Sequence, residues 1–164
     1  MRIIYPPTLV TYLKNKHLLL DTTVFRDAAV NPTVFKNFFN ELKEANITLT
    51  TNDFVKYELL KGFSELSKYK AKEEVVSNII DVMLPVVPQT FQLVYELIKT
   101  YGIDGTALSL TDLILGATLM QFKENIYLMT RDTTDFIQKI FDLTFIINAP
   151  HPKGIFTYGI YQYK

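Results

Sequence analysis

The sequence predicts an α/β fold in which helices cover both faces of a central, mainly parallel sheet, giving three layers in the order α/β/α. Short unbroken apolar runs, such as 17–20 and 126–129, are typical of parallel strands that are buried on both faces. These runs alternate with longer segments whose apolar residues recur at helical spacing, which favours right-handed βαβ units. With 164 residues, 48% of them hydrophobic, the chain can form one substantial core.

Several element boundaries in the first half of the chain follow from individual residues. Asp21 ends the first apolar run, and Asn31 with Pro32 combines an N-cap residue with a first-turn proline. The predicted elements are a short helix over 8–14, a strand over 17–20, a helix over 24–29, a helix from Pro32 with the apolar stripe Phe35, Phe38, Phe39 and Leu42, a strand over 47–50, a helix that begins at Thr51 or Asn52 and carries Glu58, and a helix over 70–84 that Pro85 ends.

The second half repeats this alternation of helices and strands. The predicted elements are a helix over 91–101, a helix capped by Ser109 or Thr111 that runs to about 123, a strand over 126–129 that ends at Thr130, a short helix containing Phe136, Ile140 and Leu143, and a strand over 143–147 that closes the sheet. The alternating aromatic residues of 155–164 predict an edge strand or a packing arm. A base-stacking surface is the alternative.

Acidic residues lie where the carboxyl ends of the strands bring side chains together. In open α/β sheets this edge is where ligands bind. The residues are Asp21, Glu58, Asp112, Asp132 and Asp135. Their order and setting resemble those of the PIN-domain nuclease family, most nearly the VapC-type toxins, over residues 17–147. The resemblance implies the three-layer PIN-like fold and a ribonuclease activity.

Hydrolysis of a phosphodiester without histidine or cysteine calls for a divalent cation held by carboxylates, because hard cations prefer oxygen ligands. The resemblance implies Mg²⁺ or Mn²⁺, and an attack of activated water on RNA that leaves a 5′-phosphate and a 3′-hydroxyl. It assigns catalysis to Asp21, Glu58, Asp112 and Asp132, metal binding to these four and Asp135, and the positioning of substrate or water to Thr22, Thr130, Arg26 and Arg131.

Some of these acids also have a simpler explanation. Asp21 would serve equally as the cap of the following helix, and Asp112 in a first helical turn would complement the helix dipole. Asp132 and Asp135 both fit the last motif; we favour Asp132, nearer the strand end, with Asp135 assisting it or capping the next helix. Thr23 stands where many relatives have asparagine, which puts the fine positioning of substrate in question.

Two glycines follow acidic residues by four positions, Gly62 after Glu58 and Gly116 after Asp112. Helical side chains lean toward the amino end of the helix, so a side chain at either position would cover the carboxylate. We hypothesise that the glycines keep the acids open, in which case Gly116→Leu would reduce activity more than stability.

Composition and patterning set the limits of the domain and its partners. We expect an N-terminal extension over 1–16, a PIN domain over 17–148, and a C-terminal tail over 149–164 that packs on or extends the same domain. Lys and Arg total 17 and Asp and Glu total 17, so any nucleic-acid binding must be local. No signal peptide or membrane-spanning run is evident, and we expect a cytoplasmic protein.

The resemblance also implies partners. A VapC-type toxin would have an RNA substrate, a cognate antitoxin and a second copy of itself as a homodimer. Three alternatives stay open: a PIN-like module that binds RNA or protein without cutting, a solitary RNA-processing nuclease, and a phosphotransferase with Asp21 as nucleophile. The last is disfavoured because Thr23 replaces the second aspartate that such enzymes carry two residues on.

Overall fold

A six-stranded sheet forms the centre of the protein. The computed structural model describes residues 1–164. The strands are β1 (His17–Leu20), β2 (Thr48–Thr51), β3 (Val82–Met83), β4 (Ile126–Thr130), β5 (Phe141–His151) and β6 (Gly154–Tyr163). Their order is β3-β2-β1-β4-β6-β5, with the first four mutually parallel, β6 antiparallel to β4, and β5 antiparallel to β6. The predicted mainly parallel α/β fold is therefore confirmed.

Seven helices surround the sheet. They are α1 (Leu9–Leu13), α2 (Thr22–Val30), α3 (Pro32–Glu44), α4 (Asp53–Leu60), α5 (Leu66–Ile79), α6 (Pro88–Tyr101) and α7 (Leu110–Phe122). α2 contacts α3, α4 and α5, and α6 packs along α7, so the helices form two groups. No helix is long and apolar enough to cross a membrane.

Local capping explains where the site-bearing helices begin. The Asn52 side chain accepts a hydrogen bond from the Val55 amide (3.0 Å), so Asn52 rather than Thr51 caps α4. Ser109 caps α7 by accepting from the Asp112 amide at 3.1 Å. Asn31 precedes α3 as predicted, but its side chain donates to the Pro150 carbonyl (3.0 Å) instead of capping the helix.

The parallel strands are deeply buried, and this fixes the position of their carboxyl ends. Leu18, Leu19 and Leu20 are fully buried, and every residue of β4 is buried. Leu20 of β1 lies beside Met129 of β4 in the register. The residues that follow these two strands therefore emerge side by side at one edge of the sheet.

The predicted helix over 70–84 is wrong at its carboxyl end. α5 ends at Ile79, and the next residues form β3 beside β2. The Asp81 amide donates to the Leu49 carbonyl (2.9 Å), and the Leu49 amide donates to the Asp81 carboxylate (2.9 Å). These bonds satisfy the backbone of an added edge strand, so the chain leaves the helix before Pro85 requires it to.

The predicted short helix containing Phe136, Ile140 and Leu143 is also wrong. Residues 131–140 contain no helix, and Leu143 belongs to β5. Phe136 and Ile140 are nevertheless buried, and Phe136 packs against Phe141 with their rings 5.6 Å apart. Apolar residues at helical spacing here anchor a loop on the core rather than forming a helical stripe.

The C-terminal aromatic segment is an interior strand. β6 lies between β4 and β5, so the edge-strand prediction is wrong, and β5 is the edge strand on that side of the sheet. Tyr158, Ile160 and Tyr161 are buried in the core. At the other end of the chain, Leu9 and Leu13 of α1 are fully buried, and Ile4 exchanges two backbone hydrogen bonds with Asn148 (2.8 and 2.9 Å).

Candidate active site and metal centre

Asp21 is the most buried of the predicted site acids, with 5% of its surface exposed. Its carboxylate accepts hydrogen bonds from the Thr22 amide (2.6 Å), the Thr130 hydroxyl (2.6 Å) and the Thr23 hydroxyl (3.3 Å). Burial raises the pKa of Asp21, and the charge of Asp112 adds to the rise, while the hydrogen bonds from Thr130 and Thr22 oppose it. Asp21 therefore caps α2 and also faces a second acid.

Threonine hydroxyls connect the ends of β1 and β4. The Thr130 hydroxyl accepts from the Asp132 amide (3.0 Å) while it donates to Asp21. The Thr23 hydroxyl likewise accepts from the Arg131 amide at 3.2 Å. Both hydroxyls thus hold the start of the loop over 131–140 against Asp21, and Thr23 occupies a defined place in this network.

Glu58 and Asp112 come from two different helices. Glu58 is half-buried on α4 and accepts a hydrogen bond from the Thr22 hydroxyl at 3.1 Å. Asp112 lies in the first turn of α7, where its carboxylate accepts from the Ser109 hydroxyl (2.7 Å) and the Ser109 amide (3.2 Å). The capping box orients Asp112, and its charge still reaches Asp21.

The side chains of Asp132 and Asp135 interact with each other. The pKa of Asp135 is raised to about 7 by burial, by a hydrogen bond with Asp132 and by the negative charges of Asp112 and Asp132. The Tyr101 hydroxyl donates to the backbone carbonyl of Asp135, which fixes the loop on α6. The structure thus brings Asp112, Asp132 and Asp135 close to one another, with Asp21 near Asp112.

The donor set fits a hard divalent cation. The acidic side chains supply only oxygen ligands. Burial, with a smaller contribution from neighbouring negative charges, raises the pKa values of Asp21 and Asp135, and a bound cation would reverse this rise. No three of these side chains already have the arrangement of a metal coordination shell. The acids therefore converge on one region without being closed around a single point.

The two arginines have different surroundings. The Arg131 side chain pairs with Asp27 at 3.5 Å and lies 4.2 Å from the centroid of the Phe156 ring. Arg26 is exposed and lines a cavity of about 220 Å³ together with Glu58, Lys61 and Lys72. Arg26 thus shares a cavity with Glu58, whereas the guanidinium of Arg131 is engaged in a second network.

The residues at the centre of this second network were not predicted. Asp27 has 4% of its surface exposed and accepts a hydrogen bond from the Tyr158 hydroxyl as well as pairing with Arg131. Because Arg131 immediately precedes Asp132, the network positions the acidic loop on β6. The sequence signal was an aspartate on the apolar face of α2, three residues from Val24 and next to Ala28.

The hypothesis that Gly62 and Gly116 keep Glu58 and Asp112 open is wrong. A Cβ on Gly116 would lie 3.0 Å from Leu97 Cδ1 and 3.1 Å from Phe141 Cζ, so this position faces the core. Gly62 lies beyond the end of α4 with φ +76°, a left-handed conformation that favours glycine. Packing and backbone conformation therefore explain the two glycines.

Fold and site together define an α/β protein with an acidic, all-oxygen site at the carboxyl edge of its parallel strands. A family model of the PIN domain matches residues 18–140, well over half of the chain. The chain therefore belongs to the PIN-domain family, and the predicted resemblance is confirmed.

Comparison with solved structures agrees with this assignment. The crystal structure of VapBC2 from Rickettsia felis, bound to a DNA fragment from their promoter, is similar to this chain with a TM-score of 0.51 and 17% sequence identity. The match covers 62% of this chain and 77% of that chain, and at this identity it concerns the fold. None of the curated proteins matches the chain.

Proposed function

We propose that this protein is a metal-dependent endoribonuclease that hydrolyses RNA phosphodiesters, and that it acts as the toxin of a toxin–antitoxin pair. The observation that carries the proposal is the convergence of Asp21, Asp112, Asp132 and Asp135 at the end of the parallel strands. Membership of the PIN-domain family supports the nuclease activity.

The acids would hold Mg²⁺ or Mn²⁺. Asp21, Asp112, Asp132 and Asp135 would bind it, with Glu58 on the α4 side. A bound divalent cation supplies charge neutralisation at the phosphate and a more acidic water for attack at phosphorus. The products would carry a 5′-phosphate and a 3′-hydroxyl.

The chain's own residues prepare the site for this chemistry. Thr130 and the Thr22 amide hold the Asp21 carboxylate in one orientation, and Ser109 does the same for Asp112. The Thr22 hydroxyl orients Glu58, so in this arrangement Thr22 and Thr130 act on the acids. With a pKa raised to about 7, Asp135 is partly protonated near neutral pH, and we expect it to lose its proton when a cation binds.

The similarity to VapBC2 supports the proposal of an antitoxin partner, and the family resemblance in the sequence is the basis of the others. We propose a cognate antitoxin that binds this chain, an RNA substrate, a homodimer, and a cytoplasmic location. The domain limits proposed from the sequence, 1–16, 17–148 and 149–164, would place the catalytic acids within one unit. β6 supplies Tyr158 to that unit from the C-terminal segment.

The test is cleavage of end-labelled RNAs, both structured and single-stranded, by purified protein in the presence of Mg²⁺, Mn²⁺ or a chelator. We expect cleavage that requires metal and that is lost in Asp21→Asn. The matched control is Asp142→Asn, which removes a carboxylate paired with Lys164 (3.7 Å) on the edge strand β5.

Each alternative predicts a different result. A non-catalytic module would bind RNA or a protein without cutting under any of these conditions. A phosphotransferase would form a covalent phosphoaspartate and leave RNA intact. A solitary RNA-processing nuclease would cut RNA but would have no adjacent antitoxin gene. Equal cleavage by wild type and Asp21→Asn would reject the proposed site.

A further inference from the structure

A cavity of about 580 Å³ lies between α4 and α7 beside the acidic site. Its lining includes Tyr57, Glu58 and Lys61 of α4 and Ser109, Leu110 and Thr111 at the start of α7. A cavity of this size can accommodate a small molecule or a single nucleotide unit. None of the sequence motifs assigned a role to Tyr57, Leu110 or the cavity itself.

Each wall of the cavity is connected by a hydrogen bond to the acidic site. On one wall, Glu58 lines the cavity and accepts a hydrogen bond from the hydroxyl of Thr22, the residue after Asp21. On the other wall, Ser109 lines the cavity and donates a hydrogen bond to the Asp112 carboxylate. A chain whose phosphate lies at the acids would therefore place its neighbouring unit in the cavity.

Tyr57 gives the cavity an aromatic surface. The residue is 66% exposed although its neighbours Leu59 and Leu60 are buried. The Lys61 ammonium lies 5.5 Å from the centroid of the Tyr57 ring and also lines the cavity, so a cation and an aromatic face are available together. Leu110, 48% exposed, adds an apolar contact at the start of α7.

A second cavity shares two of its lining residues with the first. Glu58 and Lys61 also line the cavity of about 220 Å³ that contains Arg26 and Lys72. The cavity with Tyr57 and the cavity with Arg26 and Lys72 therefore share Glu58 and Lys61. This pairing of positive charge with a stacking surface is how single-stranded nucleic acids are held.

We propose that the Tyr57 cavity is a nucleobase subsite, in which Tyr57 stacks on the base next to the scissile phosphate and Lys61 contacts the adjoining phosphate. The inference rests on the proposed function, because it takes single-stranded RNA as the substrate. It goes further in assigning a specificity-determining residue and the nucleotide that this residue contacts.

Equilibrium binding tests the subsite without relying on cleavage. The probes are single-stranded RNA decanucleotides that carry one 2-aminopurine at successive positions, and the protein is full-length Asp21→Asn with Mg²⁺. We expect stacking on Tyr57 to quench 2-aminopurine at one position, and Tyr57→Ala added to Asp21→Asn to abolish this quench and weaken binding about tenfold. Tyr57→Phe, which keeps the ring, should retain both effects.

Tyr95→Ala is the matched control, because Tyr95 is 63% exposed on α6 and lines neither cavity. The inference is overturned if the decanucleotides do not bind, or if quenching persists in Tyr57→Ala. It is also overturned if Tyr57→Ala changes the sedimentation of the RNA-free protein, which would make this face a contact between copies of the chain.

The two proposals fail in different ways. Wild-type protein that cuts RNA, combined with quenching that does not depend on Tyr57, would reject the subsite and retain the nuclease. Tyr57-dependent quenching with no cutting by wild type under any metal condition would retain the subsite and reject the nuclease.

Discussion

Asp135→Asn should stabilise the metal-free protein at alkaline pH and leave it nearly unchanged at acidic pH. The pKa of Asp135 is raised from 3.8 to about 7, first by burial and then by Asp132 and Asp112. A group whose pKa is higher in the folded state binds an extra proton there. Its contribution to stability is therefore complete below the unfolded-state pKa and is lost as the pH rises from about 4 to about 7.

The size of this loss can be bounded. A pKa about three pH units above the usual value corresponds to ~4 kcal/mol at ~1.36 kcal/mol per pH unit. Asp135 is only partly buried, so solvent screening reduces the expected effect to about 1–2 kcal/mol. For a chain of this length that is about 2–8 °C in Tm, since 1 kcal/mol shifts Tm by ~2–4 °C.

The assay is thermal unfolding followed by circular dichroism, in chelator, at pH 5 and pH 8. Wild type and Asp135→Asn should have similar Tm values at pH 5, and the variant should be higher by a few degrees at pH 8. Asp142→Asn should not show this change with pH. The reasoning is refuted if Asp135→Asn and wild type differ by the same amount at both pH values, or if the variant is less stable at pH 8.

Three further substitutions test the packing and backbone around the site. Gly62→Ala should cost about 1 kcal/mol in the free energy of unfolding, measured in urea, because φ is +76° while no atom obstructs a Cβ; an unchanged midpoint would contradict this. Tyr158→Phe should cost about 1.5–3 kcal/mol, because the buried Asp27 carboxylate would lose a hydrogen bond, and a cost near zero by the same measurement would count against the network. Gly116→Leu should lower stability by about 1–3 kcal/mol through overpacking against Leu97 and Phe141, with a melting temperature equal to wild type as the contrary outcome.

The parallel half of the fold could be predicted because its signals are local. The apolar run before Asp21 and the one before Thr130 each form a strand where the pattern places it. Of the two caps that the sequence allowed for α7, Ser109 and Thr111, Ser109 is the one that begins the helix. In each case, backbone hydrogen bonds and burial reinforce the preference of the segment itself, so local sequence and tertiary structure agree.

The antiparallel half could not be predicted in the same way, because long-range pairing determines it. The aromatic residues of β6 alternate as they would in an edge strand, and only the pairing of β6 with both β4 and β5 makes the strand interior. The segment from Phe136 to Ile140 has apolar residues at helical spacing, yet the packing of Phe136 on Phe141 holds it as a loop. Tertiary contacts override the local pattern in both segments.

The candidate site likewise contains residues that local sequence could indicate and residues that depend on long-range contacts. The sequence could place Asp21 and Asp132 at one sheet edge because each follows a strand, whereas the roles of the acids came from the family resemblance and stay predictions. The relation between Asp132 and Asp135 could not be predicted, because spacing along the chain does not reveal that both side chains reach the same region. The role of Asp27 depends on Tyr158, 131 residues away, and on Arg131, so no local motif could reveal it.

Titration of Mn²⁺ into the metal-free protein, followed by calorimetry, tests most directly whether the converging acids form a metal site. Wild type and Asp142→Asn should bind Mn²⁺ with equal affinity, and the double variant Asp21→Asn, Asp112→Asn should bind it more than about tenfold less tightly. Equal affinity in wild type and the double variant, or no binding by the wild type, would contradict the assignment of these carboxylates to a metal centre.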